Sequence, residues 1–207
     1  ISNIETSKFK KGKAYISVDL HQMADFDPYI FVTENYGKSW KKITNGIPKS
    51  YSSFVHVIKE DYYDSSVLFA GTDNGLYYSV NDGINWNRLK NNLPPAPVYW
   101  ISLQKRFDDM VVGTYGRGIY IMDDISPIRE LAKKDLSIDQ LLPTQSAYRF
   151  QMLQAMKSDG SSLINGRNPS YGANIDFYLS DENKKSIFIE IKNKDLEVVR
   201  KLDVKKF

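Results

Sequence analysis

The sequence has no cysteine and only two histidines among its 207 residues. The absence of cysteine excludes a disulfide framework, thiol catalysis and thiolate metal sites, and two histidines argue against a zinc site built from protein ligands alone. We therefore expect no metal and no cofactor. The 28 basic and 25 acidic residues leave a net charge of only +3, which does not predict a nucleic-acid partner.

Long hydrophobic runs are also missing. No window approaches the roughly 18 apolar residues of a membrane span, and no charged start leads into the apolar segment of a signal peptide. The motifs of phosphate loops, nucleophile elbows and zinc proteases are absent as well, so these three enzyme classes have no support. We expect a protein without membrane insertion. Because the chain begins at Ile1 and stops at Phe207 inside a periodic segment, we also expect it to be part of a longer protein.

What the sequence does contain is an internal repeat. The octet at 33–40, Thr-Glu-Asn-Tyr-Gly-Lys-Ser-Trp, corresponds to the octet at 79–86, Ser-Val-Asn-Asp-Gly-Ile-Asn-Trp, 46 residues later. In each octet we expect a tight turn in which hydroxyl and amide groups bond the backbone, glycine supplies positive φ and tryptophan buries its ring. A calcium loop is the less favoured alternative, because the acidic ligand series is missing. The predicted structural residues are Thr33, Asn35, Gly37, Trp40, Ser79, Asn81, Gly83 and Trp86.

Short β-branched and aromatic runs around these octets predict four strands in each of two units and three strands in a third. The first unit contains Ile4–Ser7, Ala14–Val18, Tyr29–Thr33 and Trp40–Ile43, with an insertion at 20–28; the second contains Phe54–Ile58, Val67–Gly71, Leu76–Val80 and Trp86–Leu89; the third contains Val98–Leu103, Met110–Gly113 and Ile119–Met122. Units of this size are typical of β-propeller blades. Since three blades do not close a ring, we expect the remaining blades upstream or in another chain.

The two octets resemble the Asp-boxes, or BNR repeats, of sialidases and sortilin-type receptors. The stretch from Tyr29 to Leu131, with Gly113–Gly118 and Asp123–Pro127, resembles the last blades of bacterial proteins catalogued as BNR-repeat glycosyl hydrolases or sortilin N-terminal-domain-like proteins. This resemblance implies a propeller, a connector and a small β-sandwich in an exported protein, either periplasmic, cell-surface or secreted. Asn35 and Asn81 stand where many Asp-boxes carry Asp. The catalytic set of a sialidase does not map onto this sequence, so catalysis is not transferred.

The predicted fold is therefore all-β: propeller blades at 1–125, a helical connector at 126–145 and an incomplete immunoglobulin-like β-sandwich segment at 146–207. Ser126 is the expected N-cap of a short helix, with Asp123 or Asp124 as a further capping group. The last segment is expected to contain a strand at 147–150, a loop at 157–171, a hairpin of 173–179 with 186–191 across a turn at 181–184, and a third strand at 197–202.

We expect ligand-facing residues in the loops that gather at one face of a propeller channel. These candidates are His21, Gln22, Asp25 and Asp27 in the first unit, Thr72, Asp73 and Asn74 in the second, and Tyr115 and Arg117 in the third. Arg117, between two glycines, would present its fork to a carboxylate or phosphate, or else form a rim ion pair.

The two histidines differ in context. His21 with Asp25 and Asp27 would bind a cation or form a general-base pair, or else lie in a solvated loop. His56 is interpreted as a core or channel histidine of an inner strand.

Three functions remain open at this point. The leading hypothesis is the C-terminal part of an exported Asp-box propeller that binds a glycan or a protein and has no complete active site of its own. The alternative is a portion of a sialidase-like glycoside hydrolase whose catalytic residues lie mostly in absent blades. A structural assembly module is the third, since exposed sheet edges would fit it.

Overall fold

The structure is a computed structural model that describes residues 1–90, 92–147, 172–181 and 187–204. Of these described residues, 43% lie in strands and 6% in helices, so the fold is all-β. It consists of several small antiparallel sheets, consistent with part of a β-propeller, and no closed barrel is seen in the described part of the chain. No helix among the same residues is long and apolar enough to cross a membrane.

The first sheet follows the chain order of its strands. It consists of β1 (Asn3–Thr6), β2 (Ala14–Leu20), β3 (Asp25–Thr33) and β4 (Lys41–Lys42), each paired antiparallel with the next. All four expected strands form. The expected insertion at 20–28 is shorter than predicted, because β3 already begins at Asp25, which pairs with Leu20. Only a 3₁₀ helix (His21–Met23) and Ala24, with φ of 59°, separate the two strands.

The second and third sheets repeat this arrangement. The second consists of β5 (Val55–Glu60), β6 (Leu68–Thr72), β7 (Gly75–Ser79) and β8 (Asn87–Leu89), and the third of β9 (Val98–Gln104), β10 (Asp109–Thr114) and β11 (Ile119–Met122). Strand order again follows chain order, so β1, β5 and β9 occupy equivalent edges. The predicted two four-stranded units and one three-stranded unit therefore form where the sequence placed them.

The core lies between consecutive sheets. Alternate residues of β6 point to opposite faces, so that Leu68 packs toward the first sheet and Phe69 toward the third. The second sheet is consequently buried on both faces. Gly71 allows one close approach there, since a Cβ at this position would lie 2.5 Å from the carbonyl oxygen of Val98 in the third sheet.

The two octets form turns with the same hydrogen bonds. The hydroxyl oxygen of Thr33 accepts the Gly37 N–H at 2.9 Å, and that of Ser79 accepts the Gly83 N–H at 2.9 Å. Asn35 and Asn81 each accept a backbone N–H four residues on at 2.9 Å, from Ser39 and Asn85. The glycines have φ of 82° and 78°, which residues with a Cβ rarely adopt.

The turn tryptophans differ in environment. Trp86 is 2% exposed, and its indole N–H donates to the Ile43 carbonyl oxygen of the first unit at 2.8 Å. Trp40 is 42% exposed and bonds only Gly37 of its own turn, at 3.1 Å. The expectation of two buried rings is therefore wrong for Trp40. A turn tryptophan packs against the preceding sheet, and the described sheets cover only the other side of the first unit.

The helix α1 (Ser126–Lys133) follows the third sheet. Its N-cap is Ile125 and not Ser126 as predicted. Asp124, one of the two expected capping groups, has a φ of 58° and accepts the Ser126 N–H at 2.9 Å. Arg129 fixes the helix through two bonds to Asp61, at 2.7 and 2.9 Å, and through Asp108 at 2.8 Å. Asp61 is fully buried and Arg129 is 6% exposed.

The C-terminal part forms two separate two-stranded sheets in its described residues, and no sandwich is seen there. β12 (Gln140–Leu141) pairs with β13 (Phe177–Tyr178), and β14 (Ile187–Lys192) pairs with β15 (Val198–Val204). The predicted pairing of 173–179 with 186–191 is therefore wrong, because β13 continues a ladder with the segment after α1, where the Leu142 N–H donates to the Asp176 carbonyl oxygen at 2.9 Å. The strand expected at 147–150, the loop at 157–171 and the turn at 181–184 fall largely outside the described residues.

Replacing Arg129 by Met should destabilise the fold by about 3–5 kcal/mol, because the fully buried Asp61 carboxylate loses its partner. Urea denaturation followed by far-UV circular dichroism measures the effect. Lys133→Met is the matched control: its Nζ lies 3.1 Å from Glu130 on the exposed side of the helix, where an ion pair contributes about 1 kcal/mol or less. Equal losses in the two variants would contradict the assigned role of Arg129.

Trp86→Phe should cost about 2 kcal/mol, since it leaves a cavity between two sheets and removes the donor to the Ile43 carbonyl oxygen. Trp40→Phe, at the equivalent and exposed position, should cost about 0.5 kcal/mol or less. The same denaturation experiment compares the two variants. A Trp40 variant as unstable as the Trp86 variant would show that the two environments are alike.

Candidate functional site

Seven aromatic rings from all three sheets form a continuous surface at one end of β5 and β9. We call this set the ring-lined surface; it consists of His21, Phe26, Tyr51, Phe54, His56, Tyr99 and Tyr115. His56 stacks on Tyr99 with ring centroids 3.9 Å apart and an interplanar angle of 21°. Tyr99 in turn lies 5.7 Å from Tyr115, and His21 stacks on Phe54 at 4.8 Å. The surface is thus one connected aromatic cluster.

Irregularities in strand pairing place two of its central residues, His56 and Tyr99. The register between β5 and β6 shifts between Val55 and Val57, which leaves His56 as the extra residue of a bulge. The register between β9 and β10 shifts at Gly113, and Tyr99 is the residue without a partner there. In the first sheet the register also shifts, between Val18 and Leu20, but there the extra residues belong to β3, whose residues 26–28 lie opposite Asp19. A bulge redirects a side chain, and here His56 and Tyr99 meet each other and His56 meets Asp19.

The two histidines and two carboxylates form a chain of polar contacts beneath the rings. The Nδ1 atom of His21 lies 2.6 Å from one oxygen of Asp19, and the Nδ1 atom of His56 lies 3.7 Å from the other. The Nε2 atom of His56 lies 3.2 Å from Asp73. Asp19 therefore joins both histidines, and His56 stands between two carboxylates.

Exposure divides the ring-lined surface into a base and a rim. Phe54 and His56 are each 7% exposed and form the base. Tyr51, Tyr99 and Tyr115 are 85%, 49% and 73% exposed and form the rim. The rim offers flat rings to a ligand, while the base holds them from below.

The Tyr99 hydroxyl lies in a field that opposes its ionisation. Burial raises its pKa, and the negative charges of Asp73 and Asp19 and the neighbouring Tyr115 raise it further. The phenol therefore stays protonated over a wider pH range than an ordinary tyrosine and remains a hydrogen-bond donor.

Of the nine ligand-facing candidates from the sequence, the ring-lined surface and the carboxylates next to it include three, namely His21, Asp73 and Tyr115. The partner of His21 is Asp19 and not Asp25 or Asp27. Arg117 is exposed, and no ion pair of its side chain is present within the described residues. The carbonyl oxygen of Asn74 accepts a bond from Arg88 at 2.7 Å.

Asp25 is engaged inside the first sheet. Its carboxylate accepts the Asp27 N–H at 3.0 Å and the Tyr29 hydroxyl at 2.8 Å, and these bonds hold its pKa below the ordinary value. Asp27 pairs with Lys49. The predicted cation site or general-base pair of His21 with Asp25 and Asp27 therefore does not form.

Asp19, Phe54 and Tyr99 are not among the candidates from the sequence, which predicts His56 as a core or channel histidine. These four residues lie in or next to runs that predict strands. Alternation along such a run predicts the face of the sheet on which each side chain lies, but it does not reveal a bulge. Pro97 just before β9 and the aromatic pair at 99–100 are the only local signals near Tyr99.

No group of three or more His, Asp or Glu side chains could hold a metal ion in the described part of the chain. A groove of about 700 Å³ lies elsewhere, between the two repeated turns, and is lined in part by Trp40, Lys42 and Asn45. Several of its polar side chains already have partners outside the groove, as in the contacts of Asp82 with Tyr15 at 2.8 Å and of Asn45 with Asn85 at 2.5 Å. The ring-lined surface is therefore the better candidate site.

No protein-family model and no curated protein matches this chain. Among solved structures, the fold is weakly similar to an ancestral GH74 enzyme, with 15% identity and a TM-score of 0.46 over 56% of this chain and 14% of that one. It is similar at the same level to the GH74 enzyme of Niastella koreensis, with 15% identity and a TM-score of 0.47 over 59% of this chain and 21% of that one. GH74 is a family of β-propeller glycoside hydrolases. The matches span only 14% and 21% of these two enzymes and assign no function here.

Asp73→Asn should lower the pKa of Tyr99, because it removes the nearest of the negative charges that oppose phenolate formation. Absorbance titration at alkaline pH measures the shift, with Tyr99→Phe identifying the signal. Asp25→Asn is the control: that carboxylate bonds Tyr29, so Tyr99 should titrate as in the unchanged chain. An Asp73 variant without any shift would show that the two side chains do not interact.

Proposed function

We propose that the chain is the C-terminal part of an exported β-propeller protein and that it binds a glycan on the ring-lined surface, with no complete active site of its own. The observation that carries this proposal is the rim of exposed tyrosine rings above the base formed by Phe54 and His56, with the carboxylates of Asp19 and Asp73 next to it. Export follows from the resemblance of the two octets to Asp-boxes.

The chemistry of the rim favours a carbohydrate. A pyranose with equatorial hydroxyls has an apolar face of C–H groups, which stacks on an aromatic ring, and a polar edge, which needs hydrogen-bond partners. Tyr99 and Tyr115, 5.7 Å apart, supply rings. Asp73, whose charge acts on the Tyr99 hydroxyl, supplies an acceptor, and His21, which stacks on Phe54, supplies a further polar group. The exposed guanidinium of Arg117 is close in sequence to Tyr115.

A hydrolytic role is less well supported by the carboxyl groups of this surface. Glycoside hydrolysis uses two carboxyl groups that face the scissile bond. Both oxygens of Asp19 face histidines, and Asp73 faces His56. The adjacent pair Asp123 and Asp124 lies beyond the end of β11, where Asp124 bonds Ser126 and Gln145. Binding is therefore the better supported role.

Membership of a larger propeller is supported by two apolar faces that the described sheets leave open. Tyr77 of the second sheet is 4% exposed against the first sheet, whereas Phe31, at the equivalent position 46 residues earlier, is half-buried. At the other end, Ile119 and Ile121 of the third sheet are 74% and 63% exposed. We propose that further sheets of the same kind cover both faces, supplied upstream or by another chain.

Replacing Tyr99 or Tyr115 by Ala should weaken binding of a neutral oligosaccharide at least tenfold, because each removes a stacking ring. Arg117→Ala should cause a smaller loss at unchanged thermal stability, since its side chain is exposed. An oligosaccharide array followed by calorimetry on the full chain measures both effects. Phe107→Ala is the matched control, because this exposed ring lies in the turn at the opposite end of the third sheet.

Two outcomes would contradict the proposal. If no neutral or acidic oligosaccharide binds while a protein ligand does, the surface is a protein-binding site. If oligosaccharide binding survives both tyrosine substitutions, the binding site lies elsewhere on the chain.

A further inference from the structure

His56 has a position that the proposed binding role does not by itself require. Its imidazole is 7% exposed, stacks on the Tyr99 ring at 3.9 Å and meets Phe54 edge-on at 5.2 Å. Both ring nitrogens face carboxylates, Nδ1 toward Asp19 and Nε2 toward Asp73. The imidazole of His56 is thus in contact with residues of the first and third sheets as well as of its own.

The number of protons on this ring decides how many of its contacts are favourable. A neutral imidazole carries one N–H, so one nitrogen must turn a lone pair toward a carboxylate, and the two repel. An imidazolium donates to Asp73 from Nε2 and places its second N–H, on Nδ1, 3.7 Å from Asp19, so that both carboxylates attract the ring. A cationic ring also stacks more strongly on the face of Tyr99.

The charged and titratable groups around His56 come from every element packed on it. Asp19 lies on β2, Asp73 in the turn after β6 and Tyr99 on β9. His21 shares the Asp19 carboxylate, and Tyr115 contacts Tyr99. Imidazole is the side-chain group that can gain a proton within the range from pH 8 to pH 5.

We propose that His56 is a positioning residue of the ring-lined surface: when doubly protonated it bridges Asp19 and Asp73 and fixes the plane of the Tyr99 ring, so that carbohydrate binding strengthens as the pH falls. The binding part of this inference rests on the proposed function, whereas the effect on the Tyr99 ring does not. Acidification from pH 8 to 5.5 should therefore order the ring even without a ligand.

The ligand-free test measures ring flips of Tyr99 by aromatic ¹³C relaxation in the full chain, with Tyr99→Phe assigning the signal. The flip rate should fall at least threefold between pH 8 and 5.5. His56→Phe keeps a stacked ring without its protons and should abolish the dependence; Asp73→Asn, which leaves His56 in place, should reduce it. His21→Phe is the matched control and should retain it. A flip rate that does not change with pH, or a dependence that persists in His56→Phe, overturns the proposal.

The binding test uses cellohexaose, a neutral glucan with flat, equatorially substituted faces, measured by calorimetry over the same pH range. Its affinity should rise three- to tenfold on acidification in the unchanged chain and stay constant in His56→Phe. Binding that is independent of pH in the unchanged chain would contradict this inference and leave glycan binding intact. An ordered Tyr99 ring without cellohexaose binding at any pH would support the positioning role and count against the proposed function.

Discussion

Burial of the second sheet on both faces is the constraint on which the rest of this structure depends. Side chains alternate along its strands, so one set packs on the first sheet and the other on the third. This packing fixes the distances between the three sheets. Because Asp19, His56 and Tyr99 each come from a different sheet, their contacts exist only while the sheets keep that spacing. The site is thus a product of the core and not of one loop.

The parts of the fold that the sequence predicts are those determined by neighbouring residues. The turn at 33–40 closes on itself through its own hydroxyl, amide and glycine, and the turn at 79–86 does the same, so both can be recognised from eight residues. Trp40 and Trp86 have the same sequence signal but different surroundings, which only the packing of sheets decides. The partner of β13 likewise depends on a two-residue strand, β12, that has too few residues for a periodic pattern.

The residues of the candidate site also differ in how well the sequence predicts them. His21, Asp73 and Tyr115 stand in turns, and turns at one end of consecutive sheets converge, so the sequence could indicate them. His56 and Tyr99 stand in apolar runs that predict regular strands, and their directions result from bulges. A shift of one residue in register changes the face on which a side chain lies. Sequence periodicity alone therefore finds the rim of this surface more readily than its base.

The dependence of the site on the spacing between sheets restricts which residue can occupy position 71. Gly71 has no positive φ and ends no element, yet any side chain there would press against the Val98 carbonyl oxygen, directly before Tyr99. A larger residue would move the third sheet away from the second and separate the Tyr99 ring from His56, without touching a ligand. Selection for the contact between Tyr99 and His56 would then maintain a glycine in the middle of a strand. Among descendants of this chain, loss of that glycine would mark lineages in which this contact has ceased to matter.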